Sequence, residues 1–349
     1  MSYALIRPLL FRLDAETAHG LALNALRYLP LAGTPAAAGG PLTSKVAGIT
    51  FPNPVGMAAG FDKDGQVPDA LLGLGFGFAE VGSITPLPQS GNPKPRLFRL
   101  VEDQAVINRM GFNNGGAEAA YARLLARKNR GGVLGINIGA NKDASDRIAD
   151  YATGARLFAP LASYLAVNIS SPNTPGLRAL QDPASLEGLL DGVIAARDET
   201  GYQPPVFLKV APDLLPADID AIARIAIEKK LGALIVSNTT IERPALASPH
   251  AGETGGLSGA PLRDMAQQRI VDFRRATGGA VPLVGVGGIA KPEHAYARIR
   301  AGASLVQLYS AMVYEGHGIA RTINKGLKAM LARDGFATIE QAVGVDTPL

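Results

Sequence analysis

What most limits how this chain can fold is a pattern that repeats from about residue 54 onward. A short apolar run ends in glycine or a polar residue, an amphipathic stretch follows, and the pattern starts again. Eight runs read as strands: PVGMAAG (54–60), FAEVGSI (78–84), GVLGINIG (132–139), YLAVNIS (164–170), PVFLKVA (205–211), ALIVSN (233–238), PLVGVGGI (282–289) and LVQLYSAM (305–312). Between them, AEAAYARLLARK (117–128) and ADIDAIARIAIEKK (217–230) place apolar residues at i, i+3 and i+4, the spacing of an amphipathic helix. Near-continuous apolar strands alternating with helices bury both faces of a parallel sheet. Eight such units predict a closed (β/α)8 TIM barrel of the α/β class. A doubly wound open sheet is the alternative, and the number of units disfavours it.

Two segments depart from the repeat. Residues 85–116 form a long connection, and connections of that length carry function or a small structure of their own. RLFRL and QAVIN within it read as a small β-ribbon. Residues 1–30 read as a two-helix extension. Asp14 can cap a helix running to about Tyr28, with Leu21, Leu26 and Leu29 on it, and a shorter helix precedes it. The Pro/Gly/Ala-rich residues 31–43 then form a linker, and 44–349 form the barrel with its insertion. Apolar residues interspersed with Arg7, Arg12 and Arg27 suit a helical pair lying on a membrane surface. Padding against the barrel is the plainer reading.

The chain has no cysteine, which excludes disulfides, cysteine-ligated clusters and a thiol base. His19, His250, His294 and His317 show no metal-ligand spacing, so no metal is expected. A net charge of +4 suits an anionic ligand or surface, and the absence of any dense Lys/Arg run argues against nucleic acid. No run of about 18 apolar residues spans a bilayer. Arg7, Arg12, Asp14 and Glu16 interrupt the N-terminal apolar residues, so neither a signal nor a transit peptide is expected.

In a barrel the chemistry sits where strands end. The stretch NISSPNTPG (168–176) has more hydrogen-bonding side chains than a turn needs, and two prolines to fix them. The other ends offer Lys63, Ser83, Asn137, Lys209, Asn238 with Thr239, Gly287 with Gly288, and Tyr309 with Ser310. GVGGIA (285–290) matches G-x-G-x-x-A, but it lies on the seventh strand and no acidic residue follows about 20 positions later. Phosphate binding by the loops after strands seven and eight suits it better; tight packing is the plainer reading. A lysine inside a barrel, Lys209, needs a reason. It could form a Schiff base, or place positive charge beside a cofactor ring.

NISSPNTPGLR, NRMGFNN, AAGFDK, SNTT, GGLSG and QLYSAMVYEG together resemble the dihydroorotate dehydrogenase family, and the N-terminal helices resemble its class 2, the quinone-dependent, membrane-associated form. The resemblance covers essentially the whole chain. It implies one non-covalent flavin mononucleotide (FMN) per chain, held by Ala59, Gly60, Phe61, Asp62, Lys63, Ser83, Asn137, Asn168, Lys209, Ser237, Gly259, Gly288, Tyr309 and Ser310. Ser83 stands where the family often has threonine; the hydroxyl is kept. Dihydroorotate or orotate would meet Lys63, Asn108, Arg109, Met110, Gly111, Phe112, Asn168, Asn173, Asn238 and Thr239. Ser171 matches the catalytic base, and Ser170 its structural neighbour. His19 and Arg99 match contacts to a membrane quinone, with Tyr309 between that tunnel and the flavin. The implied enzyme is a monomer needing no partner subunit, peripheral on the cytoplasmic side of the cell inner membrane. Two other readings stay open here: a Schiff-base aldolase using Lys209, and a non-catalytic, nucleotide-binding protein of the membrane surface.

Overall fold

In a computed structural model of the protein, residues 3–28, 36–174 and 176–349 are described. The chain opens with helices α1 (Tyr3–Leu10) and α2 (Ala15–Tyr28), then a hairpin, β1 (Ser44–Val46) and β2 (Ile49–Phe51). The barrel begins with β3 (Val55–Met57), α3 (Pro68–Gly73) and β4 (Phe78–Ile84). An antiparallel pair, β5 (Leu97–Leu100) and β6 (Ala105–Asn108), interrupts before α4 (Ala117–Ala126). Then follow β7 (Val133–Ile138), α5 (Arg147–Phe158), β8 (Tyr164–Asn168), α6 (Pro183–Asp198), β9 (Val206–Val210), α7 (Pro216–Glu228) and β10 (Ala233–Val236). After β11 (Gly256–Gly259) come α8 (Arg263–Thr277), β12 (Leu283–Val286), α9 (Pro292–Arg300), β13 (Ala303–Leu308), α10 (Ser310–Glu315) and α11 (Ile319–Asp334).

Eight parallel strands close in the order β3-β4-β7-β8-β9-β10-β12-β13, with β13 pairing back onto β3. Every residue of β4, β7, β8 and β9 is buried, which is why these strands read as unbroken runs rather than alternations. One face of each strand packs under the helices and the other fills the barrel. Tyr164 and Phe207 stack inside at 4.2 Å between centroids, and Phe51 meets Phe78 edge-on at 5.1 Å. Phe51 comes from the β1–β2 hairpin, which the sequence reading left undivided from the barrel.

The predicted ribbon forms, but as two strands of three. GLSG (256–259) adds β11 antiparallel to β6. Its sequence carries no strand period, so only the pairing reveals it.

Asp14 caps α2 as expected, accepting the Thr17 N–H at 2.9 Å. The linker's residues 31–35 and Leu29 lie outside the described residues. Helix α1 buries none of its residues, and two of its side chains help tie it down: Tyr3 Oη donates to the Val313 carbonyl at 2.6 Å and Arg7 to that of Tyr314 at 3.0 Å. Gly316 makes this possible. At φ +83° a Cβ there would sit 2.3 Å from the Tyr3 ring. Glu16 on α2 receives a two-pronged bond from the buried Arg96, at 2.7 and 3.1 Å, which ties the helix to the insertion.

Candidate active site and its apolar approach

One cavity of about 850 Å³ runs from the C-terminal ends of the strands to the helical pair. Its inner half is polar. Asn168 ends β8 beside Lys209 in register on β9. Its side-chain amide donates to Ser83 Oγ at 2.9 Å, and its Oδ1 accepts from Ser170 Oγ at 3.0 Å. Ser83 donates onward to Asn137 Oδ1, and Asn137 donates to Glu80 at 2.8 Å. Asn238 donates to Ser170 Oγ at 3.0 Å, while its own Oδ1 accepts the Thr239 N–H at 2.7 Å. Arg178 braces this loop from behind, reaching the Ser170 and Thr239 carbonyls at 3.2 and 3.1 Å and pairing with Asp213 at 2.8 Å. An amide locked on both ends presents a fixed pattern of donors and acceptors.

Ser170 and Ser171 are thereby told apart. Ser170 is fully buried and its hydroxyl bridges two asparagines. Ser171 lines the cavity, and its Oγ accepts the Asn173 N–H at 3.3 Å, leaving the hydroxyl proton without an acceptor among the described residues. Three residues on, the buried Thr174 Oγ1 has no partner among the described residues. The second proline of the stretch, Pro175, lies outside them.

Asn173 reaches Asn108 Oδ1 at 3.2 Å, which brings the insertion over the strand ends. Asn108, Met110, Gly111 and Phe112 line the cavity. Phe112 adopts φ +54°, an uncommon conformation for a bulky residue, and Gln89 secures it by donating to the Gly111 and Phe112 carbonyls at 3.1 and 3.0 Å. Lys63 donates to the Gly60 carbonyl at 2.8 Å, and burial pulls its pKa down to about 8. Burial also lowers that of Lys209, against the attraction of Glu80. Ala59, Gly60, Phe61, Ser237, Thr239, Gly259, Gly288, Tyr309 and Ser310 also line the cavity.

Three expected residues do not line it. Arg109 turns outward to pair with Glu253 at 2.7 Å. Asp62 is buried, accepting the Gln66 and Val67 N–H groups at 2.8 Å each. Asn137 lies behind Ser83. The sequence reading also missed Glu80, fully buried, whose oxygens accept from Asn137, from Tyr164 Oη at 2.9 Å and from Gln307 at 2.7 Å. A glutamate inside an apolar run looks like an interruption, and only its three donors give it a place.

The outer half of the cavity is apolar. Ile6, Leu10, Ala18, Ala22 and Ala25 line it from α1 and α2. His19 sits where the halves meet, edge-on to Phe61 at 5.1 Å and 6.1 Å from the Tyr309 ring. Its Nε2 has no partner among the described residues, and burial lowers its pKa to about 4, so it is neutral at pH 7. Arg99 lines the cavity too, but it also donates to the carbonyls of Leu10, Phe11 and Leu13 and lies 4.8 Å over the Phe11 ring, holding the turn between the helices. No helix among the described residues is long and apolar enough to cross a membrane, and no cluster of metal-ligating side chains occurs among them.

Comparison with known proteins decides the family. A family model described as dihydroorotate dehydrogenase matches residues 41–331. The chain belongs to the dihydroorotate dehydrogenase family. It is 67% identical to a protein of Erythrobacter litoralis named dihydroorotate dehydrogenase (quinone), over 99% of both chains. It is 65% identical to one so named in Novosphingobium aromaticivorans, over 98% of this chain and 99% of that one. A crystal structure of DHODH from Eimeria tenella in complex with ferulenol superposes with a TM-score of 0.92 at 39% identity, covering 97% of this chain and 98% of that one. Members of this family are flavin-dependent oxidoreductases, so the aldolase reading of Lys209 falls away.

Proposed function

We propose that this chain oxidises dihydroorotate to orotate on bound FMN and is reoxidised by a membrane quinone, a step of pyrimidine biosynthesis. The observation that carries the reading is the single cavity joining an asparagine-lined polar floor to an apolar mouth between two helices. Residues present fit an FMN. Lys209 offers a buried cation to the electron-rich edge of its ring, and Gly259, Gly288 and Ser310 form a wall with little side-chain bulk for its phosphate. When bound, the flavin supplies the acceptor for the hydride leaving C6 of the substrate.

The chain's own residues do the rest. Asn108, Asn168, Asn173 and Asn238 hold the substrate's ring amides, which both donate and accept. Lys63 pairs with its carboxylate. Ser171 Oγ takes the C5 proton; a serine is a weak base and must pass that proton onward. Phe112 and the insertion cover the site from water. Tyr309 and Phe61 separate the substrate side from the apolar passage, where His19 and Arg99 meet the quinone head. Exposed Leu5, Leu9 and Leu21 suit a membrane surface, making the protein a peripheral one. On this reading residues 1–30 serve quinone access, 31–43 link, and 44–349 carry FMN. The chain works as a monomer at the cytoplasmic face of the inner membrane.

The test is direct. The purified protein should be yellow, dihydroorotate should bleach it, and a long-tailed quinone should restore the colour. A colourless protein that binds no added FMN would end the proposal.

A further inference from the structure

Arg298, on α9, is 1% exposed, yet no carboxylate of the described residues lies within 4.0 Å of it. An unpaired buried charge is costly. Its four hydrogen bonds among the described residues run to neutral acceptors: Gln267 Oε1 at 2.8 Å and the carbonyls of Arg263, Gly287 and Val286 at 3.1, 3.1 and 3.5 Å. A second cation, Arg263, donates to the Gly288 carbonyl at 3.2 Å. Two guanidinium groups thus hold the carbonyls of consecutive residues on one side of the loop that follows β12.

That loop packs directly on the start of α8, and its other side faces the cavity. Gly288 has φ +69°, and a Cβ there would lie 2.4 Å from the Arg263 backbone. The N–H groups of Gly287, Gly288 and Ser310 donate to no acceptor among the described residues, and all three residues line the cavity. Donors without acceptors on one side, and positive charge without a counter-ion on the other, describe a site short of an anion. Asp264 is the acid whose charge reaches Arg298; burial and the like charge of Arg263 outweigh it and pull the guanidinium down to about 9.

We propose that Arg298 is a positioning residue for the phosphate of the bound flavin: without touching it, its charge and its grip on the Gly287 carbonyl make the loop select a phosphorylated flavin over an unphosphorylated one. The inference rests on the FMN reading above. It is tested on full-length protein stripped of flavin, by titrating FMN and riboflavin and following flavin fluorescence. Wild type should prefer FMN. Arg298→Met should lose about 10–100-fold in FMN affinity while riboflavin affinity changes by less than about threefold. Arg298→Lys, which keeps the charge, should retain most of the preference. A Met variant with the wild-type FMN-to-riboflavin ratio, or one that loses both ligands equally, overturns the proposal. Should that variant not fold, the Lys variant decides alone, because collapse of its preference would overturn the role of charge. If wild type binds neither flavin, the FMN reading itself fails; if it binds both equally, the phosphate site fails. Either result overturns the proposal as well.

Discussion

The polar floor of the barrel and the N-terminal helical pair border one cavity and are built in opposite ways. At the floor almost every side chain is held by another: Asn168 by Ser83, Ser170 and Asn238, and Asn137 by Glu80 and Ser83. Helix α1 buries no residue, exposes Leu5 and Leu9 by 70% and 63%, and is held by a few hydrogen bonds to backbone carbonyls. A locked hydrogen-bond array suits a rigid polar ring, whose orientation decides whether a proton and a hydride can leave. An apolar patch suits an isoprenoid tail and a lipid surface, where area matters and geometry hardly does. The difference teaches that the two half-reactions should be separable by mutation.

The sharpest break comes at Ser171. Ser171→Ala should slow flavin reduction by dihydroorotate about 10²–10⁴-fold in stopped flow, while orotate still binds. Ser170→Ala should act differently. It strips a bond from Asn168 and from Asn238, lowering stability by about 1–3 kcal/mol in denaturant titration with a far smaller loss of rate. If Ser170→Ala proved the crippling change, the division of roles within this stretch would be wrong.

On the other side, Leu5→Asp, Leu9→Asp and Leu21→Asp combined should lower partition onto lipid vesicles about 10²–10³-fold, since each leucine, only partly sunk into the surface layer, contributes about 0.9–1.4 kcal/mol, less than full burial would. Bleaching by dihydroorotate should be unchanged. Unaltered vesicle binding would mean that these helices are padding.

A smaller effect follows from Lys63. On the proposed reading its ammonium form would pair with the substrate carboxylate, and burial brings its pKa to about 8. Orotate affinity, measured by calorimetry, should therefore be flat below pH 8 and weaken above it, by at most about tenfold per pH unit. Lys63→Met should bind weakly with no such break, and a wild-type profile flat past pH 9 would remove Lys63 from that role.

The smallest effect is expected at His19, where the two regions meet. His19→Ala removes one neutral hydrogen-bonding group, so the KM for quinone should rise about 2–10-fold with flavin reduction untouched. A change in the reductive half would place His19 on the wrong side of Tyr309.

Much of this was legible in the sequence, for a physical reason. Strands buried on both faces cannot hide, because every residue must be apolar unless it has work to do; FAEVGSI and VLGINI mark themselves. Polar residues at the ends of such strands converge because a closed parallel barrel directs all its C-terminal ends to one mouth. Asp14 before an amphipathic run announced a helix start, and the structure caps it there.

What the sequence could not give depends on partners far along the chain. GLSG is a strand only because β6 lies beside it. Glu80 is tolerable in an apolar strand only because Asn137, Tyr164 and Gln307 donate to it, and Arg109, among residues that line the cavity, turns away because Glu253 is within reach. Arg298 reads in its helix as an ordinary solvated charge, and only the packing of α9 against the loop after β12 buries it. Local pattern set the strands, the helices and the polar strand ends, since those follow from burial and period along the chain. Which polar groups face ligand and which face one another was decided by closure of the barrel, because hydrogen bonds and ion pairs depend on distances that only the tertiary structure fixes.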